Sequence, residues 1–160
     1  MRRLPEVKEA KDLMTEAMDW SVIRWLFEKR RVREVADQAN AVLDRLDEEV
    51  KAAWNEDLKF AYDELPAQDG HARRKRRPLD KQHSHKPDPQ VRLLAKELRD
   101  ADDEAWRARM DAEDTFDEAD RQMSTSLAQE GCKKAIHSWT LHEKAIRKSE
   151  AVISATRTAS

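Results

Sequence analysis

The side chains best suited to chemistry gather in one short stretch of this chain. His71, His83 and His85, with Asp80 and Asp88, place imidazoles and carboxylates close enough in sequence to share a metal ion. Such donors take borderline divalent ions. A structural zinc site, however, draws on cysteine or on regular ligand spacing, and His83-Ser84-His85 offers neither. A di-iron bundle needs Glu-x-x-His pairs, and no histidine here has glutamate three residues before it. The expectation is no specific metal site and no cofactor.

Within the same stretch lie Arg73, Arg74, Lys75, Arg76 and Arg77, followed by Pro78. A run of this kind binds phosphate backbones, anionic membrane surfaces or acidic proteins, and it also fits a nuclear-import pattern. Residues 66–88 hold no aromatic side chain on which a base would stack, and no recognition-helix or zinc-finger pattern accompanies them. Nucleic-acid binding would therefore be unspecific and steeply salt-dependent. The plainer account is electrostatic: the arginines offset Asp57, Asp63 and Glu64, which sit at the negative end of a preceding helix, and Asp69, Asp80 and Asp88 beside them.

Elsewhere the reactive groups are scattered. Cys132 is the one cysteine, so no internal disulfide is possible, and a small buried filler is the simplest role. Lys29 and His142 fall on helical seams, where polar residues set register more often than they do chemistry. With two glycines in the chain, a phosphate-cradling loop is nearly excluded, and no nucleophile elbow or triad spacing occurs. The expectation is a protein that is not an enzyme.

The elements that carry these residues read as two long helices, over 5–64 and 89–156. Pro5 suits a first helical turn. From Met18 the spacing alternates four and three through Val22, Trp25, Lys29, Val32, Ala36, Ala39, Leu43, Leu46, Val50 and Ala53. All but Lys29 are apolar, a 3.5-residue period that marks a helix lying along a partner. The phase drifts beyond Leu46, through Trp54, Leu58, Ala61 and Leu65. Pro66 stops the helix near Glu64. Asp88 then caps a second helix with Pro89 at its first position. Its seam is rich in alanine at its middle and passes through Phe116, Gly131, Trp139 and His142 to Ile146. Asp103 with Arg107, Asp117 with Arg121, Glu130 with Lys134 and Glu143 with Arg147 are acid-then-base pairs on helical spacing. Residues 157–160 form a frayed tail.

These features predict an all-α single domain over 1–160: a long antiparallel two-helix hairpin, coiled-coil-like, joined by the basic linker 66–88. Placing Leu65 opposite Val91 brings Trp25 near Gly131, Trp54 near Ala101 and Ala105, and Trp139 near Met18. The same register puts Lys29 near Glu130 and His142 near Glu16.

The apolar stripe is wider than one partner helix covers. Ile23, Leu26, Phe27, Val35 and Val42 widen it on the first helix; Met110, Ile136 and Leu141 widen it on the second. Residues 20–27 are apolar almost all round. The expected partner interface is Trp20, Ile23, Leu26, Phe27 and Ile136, most simply in a dimeric four-helix bundle or a larger complex. The competing expectation is that the C-terminal end folds back over this belt.

Composition agrees with long helices: 40% of residues are charged and net charge is −2. No apolar run approaches the length of a membrane span, no targeting signal stands out, and the cytoplasm is the expected compartment. The functional expectation is a non-enzymatic structural or adaptor protein working through helix–helix association. The partner is expected to be a second copy or another protein. The alternative is a polyanion-binding module, for nucleic acid or an anionic surface, using residues 73–77. A third possibility, membrane-surface attachment, rests on the apolar belt followed by Lys29, Arg30, Arg31 and Arg33.

Overall fold

The computed structural model describes residues 4–65 and 88–158. All regular structure among them is helical: α1 (Pro5–Ala17), α2 (Val22–Ala52), α3 (Glu56–Glu64), α4 (Pro89–Gln122) and α5 (Thr125–Thr158). The expected helix over 5–64 is thus three helices, and the expected helix over 89–156 is two. Each break has a local cause.

At the first, the amides of Asp19 and Trp20 bond the carbonyls of Glu16 and Ala17 in a tight turn (3.0 and 3.2 Å). Ser21 is extended, and its hydroxyl accepts the Arg24 amide at 3.2 Å as the cap of α2. At the second, Asn55 is extended and its Oδ1 accepts the Leu58 amide at 2.8 Å. Glu56 and Asp57 then favour the positive end of α3. This break falls where the seam's phase drifts.

At the third, Met123 takes the left-handed conformation, φ 52° and ψ 43°. The Ser124 amide reaches back to the Ala119 carbonyl (2.9 Å) and the Met123 amide to that of Asp120 (3.3 Å), the pairing that closes many helices. The Ser124 hydroxyl then accepts the Leu127 amide and starts α5. The chain reverses in place, so α5 runs back along α4.

Side-chain bonds fix the directions. Gly131 on α5 lies against Phe116 on α4, and Lys134 meets Asp111 (3.2 Å) further back along α4, so these two are antiparallel. Trp139 Nε1 donates to Asn40 Oδ1 (2.9 Å) and Trp54 Nε1 to Ser149 Oγ (2.7 Å), so α5 runs parallel to α2. Lys11 pairs with Glu143, and Gln129 donates to the Trp20 carbonyl just past the end of α1, which lays α1 antiparallel to α5. Helix α5 packs against α1, α2 and α4, and α3 packs against α4. The hydrophobic core, with Met14, Val32, Leu43, Cys132 and Trp139 at its centre, lies around α5. A smaller cluster gathers Trp54, Leu58, Tyr62, Leu98 and Val152 at the other end.

Helices α2 and α4 run antiparallel, with their paired positions three to six residues from the expected register. They meet through ion pairs rather than an apolar seam: Arg33 with Asp117, Asp44 with Arg109, Lys51 with Asp102. The physical reason is α5. Both apolar stripes lie against it, so the large-opposite-small pairs expected between α2 and α4 are redistributed. Gly131 lies against Phe116, Trp54 reaches Ser149 and Trp139 reaches Asn40. The third element that the wide stripe demanded is in the same chain. Val35, Val42 and Ile136 pack on the core as partly buried residues.

Candidate functional site: an open face at the start of α2

Four large apolar residues on the first two turns of α2 stay in solvent: Val22 (59% exposed), Ile23 (69%), Leu26 (53%) and Phe27 (84%). Their spacing puts them on one side of the helix. Leu26 and Arg33, seven residues apart, share that side, and Arg33 pairs with Asp117 and Asp120 of α4. Val22 and Leu26 therefore continue the stripe that faces α4, and Ile23 and Phe27 widen it toward the outer side of the helix that carries Arg30 and Glu34. Helix α4 ends at Gln122, just beyond Asp120. The first two turns of α2 project past that end, and among the described residues nothing covers their α4-facing side. Met123, 86% exposed, marks the point where the cover stops.

The expected interface divides on inspection. Ile23, Leu26 and Phe27 are exposed as it required, and Val22 joins them. Trp20 is buried and Ile136 partly buried, apart from this exposed group. The Trp20 ring lies 6.1 Å from that of Trp25 with the Arg24 guanidinium 4.6 Å above it, and the Trp20 carbonyl accepts from Gln129 (3.1 Å). The turn at 18–21 folds Trp20 inward, which a continuous helix would not do. Ile136 packs on the core because α5 is the central helix.

Charges rim the face. Arg24 is held by Glu16 and Glu28, both at 2.7 Å, and Arg31 also pairs with Glu28. The hydrogen bond from Arg24 holds the Glu28 carboxyl below its usual range. Asp19 stands exposed before the face, and Lys29 and Arg30 stand exposed after it.

Away from this face the polar groups are structural in geometry. Lys51 is buried between Asp47 (2.8 Å) and Asp102 (2.6 Å), and the Tyr62 hydroxyl donates to Asp102. Burial alone would depress the Lys51 ammonium; Asp102 and Asp47 outweigh it and hold it up. Burial, then Asp102, pushes the Tyr62 phenol up. Burial also raises Asp47, for two carboxylates share one ammonium and Asp102 has the extra donor. Arg109 forks onto Asp44 at 2.9 and 2.7 Å.

Between α2 and α4, over α5, runs a cleft of about 220 Å³ floored by Ala36, Ala112, Phe116 and Trp139, with Asp37 and Glu113 among its lining residues. Burial raises the Glu113 carboxyl. Ser138 in its wall donates back to the Ala135 carbonyl (2.8 Å), which leaves its hydroxyl poorly placed as a nucleophile.

The other singled-out residues fall as follows. Cys132 is buried, its thiol pushed up to about 12 by desolvation. His142 does not face Glu16. Its surroundings are Arg109 and Asp102 of α4 and Asp44 and Lys51 of α2, and its Nε2 is buried without a hydrogen-bond partner. Lys29 is exposed rather than on the seam. His71, His83 and His85, Asp80, and Arg73, Arg74, Lys75, Arg76 and Arg77 lie outside the described residues. Among the described residues no three His, Cys, Asp or Glu side chains converge as metal ligands, and no helix is long and apolar enough to cross a membrane.

Comparison with protein-family models, with curated proteins and with solved structures finds no match to this chain.

Proposed function

We propose that this protein is a non-enzymatic adaptor that works by helix–helix association, and that Val22, Ile23, Leu26 and Phe27 are its contact residues. One observation carries the reading: an apolar patch of roughly 500 Å², at the upper end for a lone soluble domain, left open on a fold that otherwise buries its apolar stripes. Val22 and Leu26 occupy the seat a helix would take, since they extend the side of α2 that α4 faces, and Ile23 and Phe27 broaden that seat on its outer side.

The test is size fractionation of native host extract, with the chain detected immunologically. The expected result is elution in an assembly larger than one chain, lost in the variant carrying Ile23→Asp and Phe27→Asp. The variant's thermal stability should match the natural chain's, because both side chains are already in solvent. A natural chain that elutes at the size of a single chain would refute the reading. So would a double variant that unfolds, because the face would then belong to the core.

A second reading, polyanion binding through Arg73, Arg74, Lys75, Arg76 and Arg77, has one feature in its favour: residues 66–87 carry seven Lys and Arg against two Asp. The segment leaves the fold after α3 and re-enters at α4, at the end remote from the apolar face. Binding of a duplex oligonucleotide at low salt, lost on serine replacement of those five residues, is the expected result. Binding unchanged by that replacement would overturn it.

A further inference from the structure

We infer that the partner seated on this face is a second copy of the chain, its α2 crossing antiparallel over the first two turns of α2 about a two-fold axis. This rests on the association reading above and names its partner.

The first ground is symmetry in the residues. An isologous contact needs a patch that is its own complement. About a midpoint between Arg24 and Trp25, Ile23 mirrors Leu26, Val22 mirrors Phe27, and Asp19 mirrors Arg30. Two antiparallel copies thus set apolar against apolar at the centre, and bring the exposed Asp19, in the turn just before α2, toward the end of the partner's face that carries Arg30. Arg30 is 92% exposed and touches Glu34 at 3.5 Å, which leaves its guanidinium accessible to another carboxylate.

The second ground is continuity. Alongside Arg33 and beyond, the same side of α2 already faces one antiparallel helix, α4, which ends at Gln122. A second α2 arriving antiparallel prolongs that arrangement over the two uncovered turns. Its N-terminal end, with the positive pole of its dipole, comes toward the C-terminal end of α4.

The third ground is size. A stable protein interface buries about 800 Å² on each side. The apolar patch supplies roughly 500 Å² of this, and Asp19, Lys29, Arg30 and Met123 at its edge supply a further share. The pair should therefore be weak, with a dissociation constant on the order of micromolar. Charge favours a protein partner over an anionic bilayer. Asp19, Glu16, Glu28 and Asp120 stand at the same end as the arginines, and Arg24 and Arg31 are already tied to glutamates.

The experiment is sedimentation velocity of the purified full chain from about 1 to 200 μM, a range chosen to bracket that weak affinity. The expected result is a monomer–dimer equilibrium abolished by Ile23→Asp with Phe27→Asp. Charge exchange then fixes the geometry. Asp19→Lys alone and Arg30→Glu alone each set like charges together at both edges, so each should weaken dimerisation by about 10-fold at low salt. Mixed in equal amounts, the two variants set Lys against Glu at one edge and Arg against Asp at the other. Affinity should return to within about 3-fold of the natural chain.

Singles that dimerise as well as the natural chain, or a mixture that does not recover, would overturn the crossing. A purified chain that is monomeric at 200 μM would overturn self-pairing, and flotation of that monomer with phosphatidylserine vesicles would assign the face to lipid. If the natural chain still elutes in a large assembly from host extract, association stands and the partner is another protein. If it does not, both ideas fall together.

Discussion

His142 links the stability of this fold to pH. Its Nε2 is buried without a hydrogen-bond partner, and the imidazole is pushed down to about 4 from 6.5, chiefly by burial and then by the nearby Arg109 guanidinium. Asp44 and Asp102 pull the other way, and Lys51 adds to the depression. Because the native value lies below the unfolded one, the unfolded chain binds the proton more readily. Stability from this group is complete above pH 6.5 and falls as pH drops toward 4, by about 1.4 kcal/mol per unit. The whole swing is about 3 kcal/mol, and about 2 kcal/mol of it lies between pH 7 and 5. Asp47 and Glu113, both raised mainly by burial, act with the opposite sign: the native state gains on them as they protonate. The natural chain's curve therefore mixes these contributions, and a difference curve isolates His142. Urea unfolding of the natural chain and of His142→Gln and His142→Leu, at steps from pH 7.5 to 4.5, supplies it. The expected gap between natural and variant chains shifts by about 2 kcal/mol in the variants' favour from pH 7 to 5. Curves that fall in parallel, or a His142 proton resonance that titrates near 6.5, would refute the account.

Two further predictions test the joints of the fold. Met123→Gly should raise stability by about 1 kcal/mol, because a left-handed residue with a Cβ is strained and this side chain lies almost wholly in solvent. An unchanged or lower urea midpoint would mean the side chain has a contact that outweighs the strain. Gly131→Ala should destabilise by about 1 kcal/mol or more despite alanine's helix preference, since its Cβ would stand 2.8 Å from Phe116 Cδ1. Combining it with Phe116→Leu should remove most of that cost relative to Phe116→Leu alone, read as a double-mutant cycle on thermal melts.

What the sequence disclosed was the burial pattern. On the first expected seam Trp25, Val32, Ala36, Ala39, Leu43, Leu46 and Val50 are buried, whereas Val22, Lys29 and Ala53 are exposed; on the second, Phe116, Trp139 and Ile146 are buried. Periodicity identifies which side of a helix is covered, but not by what. Both seams were assigned to each other, whereas α5 lies against both. The break that allows this was the hardest to see. A left-handed helix end is signalled by glycine or asparagine, and here the position is Met123. The other two breaks had visible caps, Ser21 and Asn55, hidden by apolar spacing that carried on through them. At the candidate site, the run 20–27 announced more apolar surface than one partner could cover. It did not tell that Trp20 turns inward, which depends on the bend at 18–21 rather than on any residue type.

The charged ladder between α2 and α4 explains why surplus apolar surface survives at one end only. Where α4 runs beside α2, the facing positions are Arg33, Asp44 and Lys51 against Asp117, Arg109 and Asp102, and each charge finds its opposite. Buried or half-buried ion pairs add little net stability over apolar contacts. They penalise a slip in register, because a shifted ladder strands a charge. The same side of α2 changes character where α4 stops: Arg33 gives way to Leu26 and Val22, with Ile23 and Phe27 beside them. Had that end been built only to meet water, continuing the charged pattern would have cost nothing. The proposed pairing accounts for this switch from charge to large apolar side chains at the level where internal cover ends: it gives an external helix an apolar seat, with Asp19 and Arg30 as the charges that the exchange experiment tests.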